Sequence, residues 1–96
     1  NFEFYMNRAY ALNRDRLKCR VCGGWLISCV PYAHHINPKL PQNKVNKVSN
    51  LASMHKDCLE AVNNKSADLS YFDVKARRKI ASFREKLDKS HVKATT

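Results

Sequence analysis

A small α+β domain, drawn together by a structural metal ion and carrying an added helix at each end, is what this sequence predicts. Three observations predict it. Two pairs of residues with metal-ligand spacing, Cys19-x2-Cys22 and His55-x2-Cys58, stand far apart in the chain. Short β-prone stretches broken by proline lie between them. Segments with helical periodicity lie outside them. Ninety-six residues, 44% of them hydrophobic, make one domain with a modest core. At that size a metal or disulfides often supplement the core. The expected organisation is a leading helix over residues 1–18, a metal-bound core over 19–65, and a basic amphipathic helix with its tail over 66–96.

The elements follow in order. In residues 4–17, "FYMNRAYALNRDRL", Tyr5, Ala9 and Leu12 recur at i, i+4 and i+7, so a helix is expected to run straight into the first half-site. In "CRVCGG" a tight turn aims two thiolates at one point, and Gly23-Gly24 let backbone amides approach the sulfurs. "HKDC" supplies the second pair. Four cysteines also admit two disulfides or a redox CxxC. The redox reading needs a βαβ context that the pattern lacks, and disulfides suit an exported chain, whereas no signal peptide is visible. One zinc ion on Cys19, Cys22, His55 and Cys58 is therefore expected. Cys29 is the rival fourth ligand, but in apolar "WLISCV" a free cysteine is usually a small buried hydrophobe.

"WLISCV" and "YAHHI", with Pro31 between them, predict a hairpin. Residues 37–49, rich in lysine, asparagine and proline, predict an exposed basic loop. A short helix is expected from about Asp57. The last helix is expected over 71–89, with Ser70 as cap and Asp73 three residues on. Phe72, Ala76, Ile80, Phe83 and Leu87 form its apolar stripe. The tail "SHVKATT" reads as frayed, and His91 in it has no evident partner.

Eighteen Lys plus Arg against eight Asp plus Glu leave a formal charge of +10. Such a field attracts polyanions, and nucleic acid is the expected partner; the alternative is a merely soluble basic surface. Lys39, Lys44 and Lys47 of the loop and Lys75, Arg78 and Lys79 of the last helix are the candidate phosphate contacts; the alternative for the helix is a solvated face. No apolar run reaches the roughly 18 residues of a membrane span. The chain opens "NFEF" without an initiator methionine, as expected of one domain of a larger polypeptide.

The order of these parts, carried by "CRVC", "HHINP", "NLA" and "HKDC" over residues 19–58, resembles the HNH nuclease family. Over nearly the whole chain, "YMNRAYALNRDRLKCRVCGG", "HHINPKLPQNKVNKVSNLASMHKDC" and "SFREKL" are similar to the C-terminal endonuclease region of bacterial group II intron-encoded reverse transcriptase/maturases. The resemblance implies a ββα-metal core that embraces one scissile phosphate. It implies a metal-dependent DNA endonuclease whose nick primes reverse transcription. It also implies contact with intron RNA through the parent protein, and a bacterial cytoplasmic, nucleoid-associated setting. By the same resemblance His35 is the general base, with a backbone carbonyl on its other nitrogen. His34 is a ligand of a catalytic Mg²⁺ or Mn²⁺, and Asn50 ties the loop to the hairpin. Histidine suits the base, because its ordinary pKa of about 6.5 leaves much of it neutral at working pH. Neighbours on a strand face opposite ways, so two adjacent histidines share a site only where the strand bends or ends, and Ile36-Asn37-Pro38 offers such a place.

The family places a histidine directly after the last zinc cysteine, and often another four residues later. Here those positions hold Leu59 and Asn63. Leucine cannot bind a metal; an asparagine oxygen binds one weakly. Glu60 is an outside candidate ligand, though helix geometry turns it about 100° from Leu59. Mg²⁺ keeps several waters and needs only one or two protein ligands plus a DNA phosphate, so His34 and Asn63 are the expected pair. The other expectation is a zinc-stabilised module that binds DNA with its cutting weakened or lost.

Overall fold

Two four-residue strands form the centre, and helices cover them. The computed structural model describes residues 2–27 and 29–95, with side chains described as far as residue 89. The order is α1 (Phe2–Arg14), β1 (Tyr32–His35), α2 (Gln42–Val45), one 3-10 turn (Val48–Asn50), β2 (Leu51–Met54), α3 (Lys56–Asn63) and α4 (Val74–Thr95). The strands run antiparallel, pairing Tyr32 with Met54, Ala33 with Ser53, His34 with Ala52 and His35 with Leu51. The domain is thus a small α+β structure, as the sequence predicts.

The partner of β1 differs from the expectation. "WLISCV" does not pair with "YAHHI". Trp25 makes one isolated bridge to Lys18, and of the described residues in that segment only Leu26 is buried. Pro31 cannot donate a ladder hydrogen bond, and it stands where the tight turn would have to form. β2 is the better partner because all four of its residues are buried, so its backbone must find hydrogen bonds inside the protein. The loop 37–49 is likewise more ordered than expected, since it contains α2 and leads into the 3-10 turn.

Ala52 and Met54 of β2 join Cys58, Ala61 and Val62 of α3 in one core, closed by Phe72, Ala76, Ile80 and Phe83. Burying one such large side chain contributes about 1.5–3 kcal/mol. The stripe foreseen on the last helix is therefore what seats it. Its cap is not Ser70, however. Asp73 accepts the Ala76 N–H at 2.7 Å and begins the helix three residues later than expected. Arg77 turns back to the carbonyls of Leu69 and Phe72, at 3.1 and 2.9 Å, so part of the basic run is structural.

α1 packs on β2 and ends earlier than expected, at Arg14. Arg16 and Leu17 then take left-handed backbone (φ 58° and 61°), a conformation that costs non-glycine residues about 1–3 kcal/mol each. The buried side chain of Asp15 offsets this. Its carboxylate meets Arg14 at 2.9 Å and Arg20 at 3.3 Å, and it accepts the Ser53 N–H at 3.1 Å. Burial alone would raise the Asp15 pKa, but the bonds from Arg14 and Ser53 outweigh it and hold the carboxyl below its usual range. Among the described residues no helix is long and apolar enough to cross a membrane.

Candidate metal centre and histidine groove

At the end of the sheet where β2 passes into α3, four donor atoms converge. The sulfurs of Cys19, Cys22 and Cys58 and a ring nitrogen of His55 all lie within 4.8 Å of one another. A tetrahedral zinc with bonds of about 2.0–2.3 Å needs its ligand atoms roughly 3.3–3.8 Å apart, so the set fits with small adjustments. All four cysteines are free thiols. Cys29 stands outside the cluster and is exposed, not buried as its apolar neighbours suggested.

The local structure explains the convergence. Gly23 takes φ 75°, which only glycine adopts freely, and closes the turn that carries the first two cysteines by donating its N–H to the Cys19 carbonyl at 3.0 Å. A side chain at Gly24 would come within 3.3 Å of the His55 ring and 3.4 Å of the Cys22 sulfur. Backbone N–H groups of Val21 and Gly24 point at the sulfurs of Cys19 and Cys22, each at 3.4 Å. Arg20 donates its N–H to the Ser53 carbonyl at 2.8 Å, which pins the turn to β2. His55 donates from Nε2 to the Trp25 carbonyl at 2.9 Å, so Nδ1, 3.2 Å from the Cys22 sulfur, keeps its lone pair for an ion. The electrostatics suit a cation. A hydrogen bond from Cys58 pulls the Cys19 pKa down to about 4, while that bond and burial push Cys58 up. A bound dication supplies the positive charge that lets the thiols ionise together.

The two histidines occupy the opposite end of the sheet, the last positions of β1. They face opposite ways, as strand neighbours must. His34 sets its ring against the edge of Phe83, centroids 5.6 Å apart, and His35 stacks on Phe4 at 5.3 Å and 20°. The strand ends there, and both residues still line one open groove of about 310 Å³ with Ala33, Pro38, Leu59, Asn63 and Leu87. His34 is 4% exposed. Its Nε2 is the sole buried side-chain polar atom without a partner among the described residues. Burial, then the neighbouring His35, brings its pKa down to about 4, so the ring is neutral with a free lone pair.

Asn50 is buried and its amide makes three bonds. Nδ2 donates to the carbonyls of Asn37 and Val45, at 3.1 and 2.8 Å, and Oδ1 accepts the Asn37 N–H at 2.9 Å. It thereby clamps both ends of the connection between the strands. The atom on the far side of His35 is not a backbone carbonyl. Nε2 meets the side-chain Oδ1 of Asn46 at 2.9 Å. No motif marks Asn46 or Phe4, and neither is distinguished in the sequence from its neighbours in the asparagine-rich loop and the leading helix. Leu59 is half-buried and packs against the core, Asn63 is exposed on the groove, and Glu60 does not line it.

The basic candidates are scattered. Lys39 lines a second depression that shares Pro38, Asn63 and Leu87 with the first and adds Lys65 and Arg84. Lys44 is exposed on α2, and Lys47 pairs with Glu3 at 3.1 Å. Lys75, Arg78 and Lys79 are exposed on α4. His91 lies outside the residues whose side chains are described. Comparison of the chain with family models, with curated proteins and with solved structures gives no match.

Proposed function

We propose that this chain is an HNH-type, metal-dependent DNA endonuclease domain with a ββα-metal core. In this proposal it belongs to a larger intron-encoded reverse transcriptase and nicks target DNA so that the cut end primes synthesis. One observation carries the proposal: His34 and His35 open onto a single groove at the strand end, and His34 presents a buried nitrogen with nothing to bond. Sequence resemblance supplies the rest.

Each group has a task. His35 takes the proton of the attacking water. Asn50 holds the strand connection so that His35 and the phosphate keep their spacing. His34, with Asn63 beside it on the groove, would hold a Mg²⁺ or Mn²⁺ ion, and the orphaned His34 nitrogen fits that role. Such an ion, when bound, polarises the phosphate and stabilises the leaving 3′-oxygen. The zinc ligands hold the frame. Lys39, with the exposed lysines of α2 and α4, supplies salt-sensitive affinity for the backbone.

Leu59 favours a second reading. It packs into the core where a ligand would be needed, as in a module that positions a polymerase on double-stranded DNA without cutting. A supercoiled-plasmid nicking assay with Mg²⁺ or Mn²⁺ separates the two. The nuclease reading expects His35→Ala to lower the rate by about 10²-fold or more with DNA affinity retained. Equal rates for the two proteins would remove the catalytic claim and leave the binder.

A further inference from the structure

The grip on His35 comes from residues outside the four short motifs "CRVC", "HHINP", "NLA" and "HKDC". Asn46 ends α2 and is buried. Its Oδ1 lies 2.9 Å from His35 Nε2. An amide oxygen only accepts, so Nε2 carries the hydrogen. A neutral imidazole has one N–H, which leaves Nδ1 with its lone pair. The orientation of the amide decides this, because the reversed amide would donate to Nε2 and place the proton on Nδ1. The Asn46 amide nitrogen is not among the buried atoms left without a partner, so the drawn orientation strands no polar group.

Asn46 is itself held from α1. Asn7 Nδ2 donates to the Asn46 carbonyl at 2.8 Å, across 39 residues of sequence. One turn earlier on the same helix, Phe4 lies flat against the His35 ring. The Glu3–Lys47 ion pair joins the two segments beside these contacts. Thus the leading helix, outside the span 19–58 of the HNH motifs, supports the imidazole both directly, through Phe4, and through Asn46, by way of Asn7.

We infer that Asn46 is a positioning residue that fixes His35 as the Nε2–H tautomer, backed by Asn7 and Phe4 of α1, so that Nδ1 is the atom that accepts the proton of water. The last step rests on the nuclease reading; the tautomer does not.

The test has an arm for each. In the zinc-loaded chain, nitrogen-15 NMR of the imidazoles at a pH where His35 is neutral is expected to show a protonated Nε2 and an unprotonated Nδ1. The opposite pattern overturns the inference. Asn46→Ala is expected to mix the tautomers and lower the kcat of nicking about 10–100-fold, the usual cost of losing such a supporting bond, with KM for DNA unchanged. Asn46→Asp retains an accepting oxygen and is expected to restore most of the rate. Wild-type kcat in Asn46→Ala, or equal loss in Asn46→Ala and Asn46→Asp, overturns it. Should Asn46→Ala fail to hold zinc, Asn7→Ala serves in its place, with a smaller loss in the same direction expected and no change overturning the backing role. If the wild-type chain does not nick at all, the nuclease reading fails, and the NMR pattern alone decides the tautomer.

Discussion

The two ends of one short sheet are built on different principles. At the end where Met54 leads to His55, four donors crowd within 4.8 Å, and a single ion can organise them all. At the end where His35 pairs with Leu51, no ion is needed to hold the frame: Asn50 makes three hydrogen bonds, Asn46 one to His35, and Phe4 supplies a ring face. With an ion bound, the first end would concentrate its energy in a few bonds of high strength. The second spreads a smaller energy over several amides. Concentration makes a rigid anchor that fails all at once. Distribution leaves room for a groove, and it fails by degrees.

Removing the anchor should have the largest effect. Structural zinc contributes on the order of 10 kcal/mol to small domains of this kind, as much as the whole net stability of a typical 100-residue fold. Metal analysis should find about one zinc per chain, as such a site requires. Chelation should abolish cooperative melting, and Cys58→Ser should lose both zinc and fold. Cys29→Ser, changing an exposed thiol outside the cluster, should leave both intact. Zinc content that survives Cys58→Ser would break the contrast between the two ends.

The amide end should yield less. Asn50→Ala removes three hydrogen bonds and strands the half-buried carbonyls of Asn37 and Val45 in the strand connection. At about 1 kcal/mol for each bond, plus some cost for the stranded groups, the loss should be about 3–5 kcal/mol. A denaturant titration of the zinc-loaded protein measures it, and zinc content should not change. A loss below about 0.5 kcal/mol, the low end for one bond, would mean that the clamp is ornamental.

The same contrast governs what could be foreseen. Cys19 with Cys22, and His55 with Cys58, are paired by covalent adjacency, so spacing alone announced them. The stripe from Phe72 to Leu87 was legible because one helix face repeats along the chain. Asn46, Phe4 and Asn7 were not, since each acts through a contact made only after folding. The mistaken hairpin has the same origin. Local β-propensity favoured the neighbouring "WLISCV", but β2 wins by burial on both faces, which depends on α1, α3 and α4 together. Asp73 displaced Ser70 as the cap because the helix start was set by where Phe72 and Ala76 must sit in the core.

Asp15 joins the two ends and supplies the smallest and most specific test. Its carboxylate binds Arg20 within the cysteine turn, Arg14 at the end of α1, and the Ser53 N–H of β2. Hydrogen bonds to a charged group are worth about 1.5–3 kcal/mol, so Asp15→Asn should cost about that much at pH 7. The folded-state pKa of Asp15 is lowered. Its contribution is therefore complete above the unfolded carboxylate value, about 3.9, and is lost as pH falls through the lower folded value. Acid also releases zinc by protonating its ligands, but it does so in both proteins. The gap in stability between wild type and Asp15→Asn cancels that shared loss. The gap should be flat from pH 7 to about 5 and close below pH 4, as the unfolded carboxyl, and then the folded one, takes up its proton. A gap that stays constant down to the most acidic pH at which folding can be measured would show that Asp15 acts by shape and not by charge. The two ends would then be joined by packing alone.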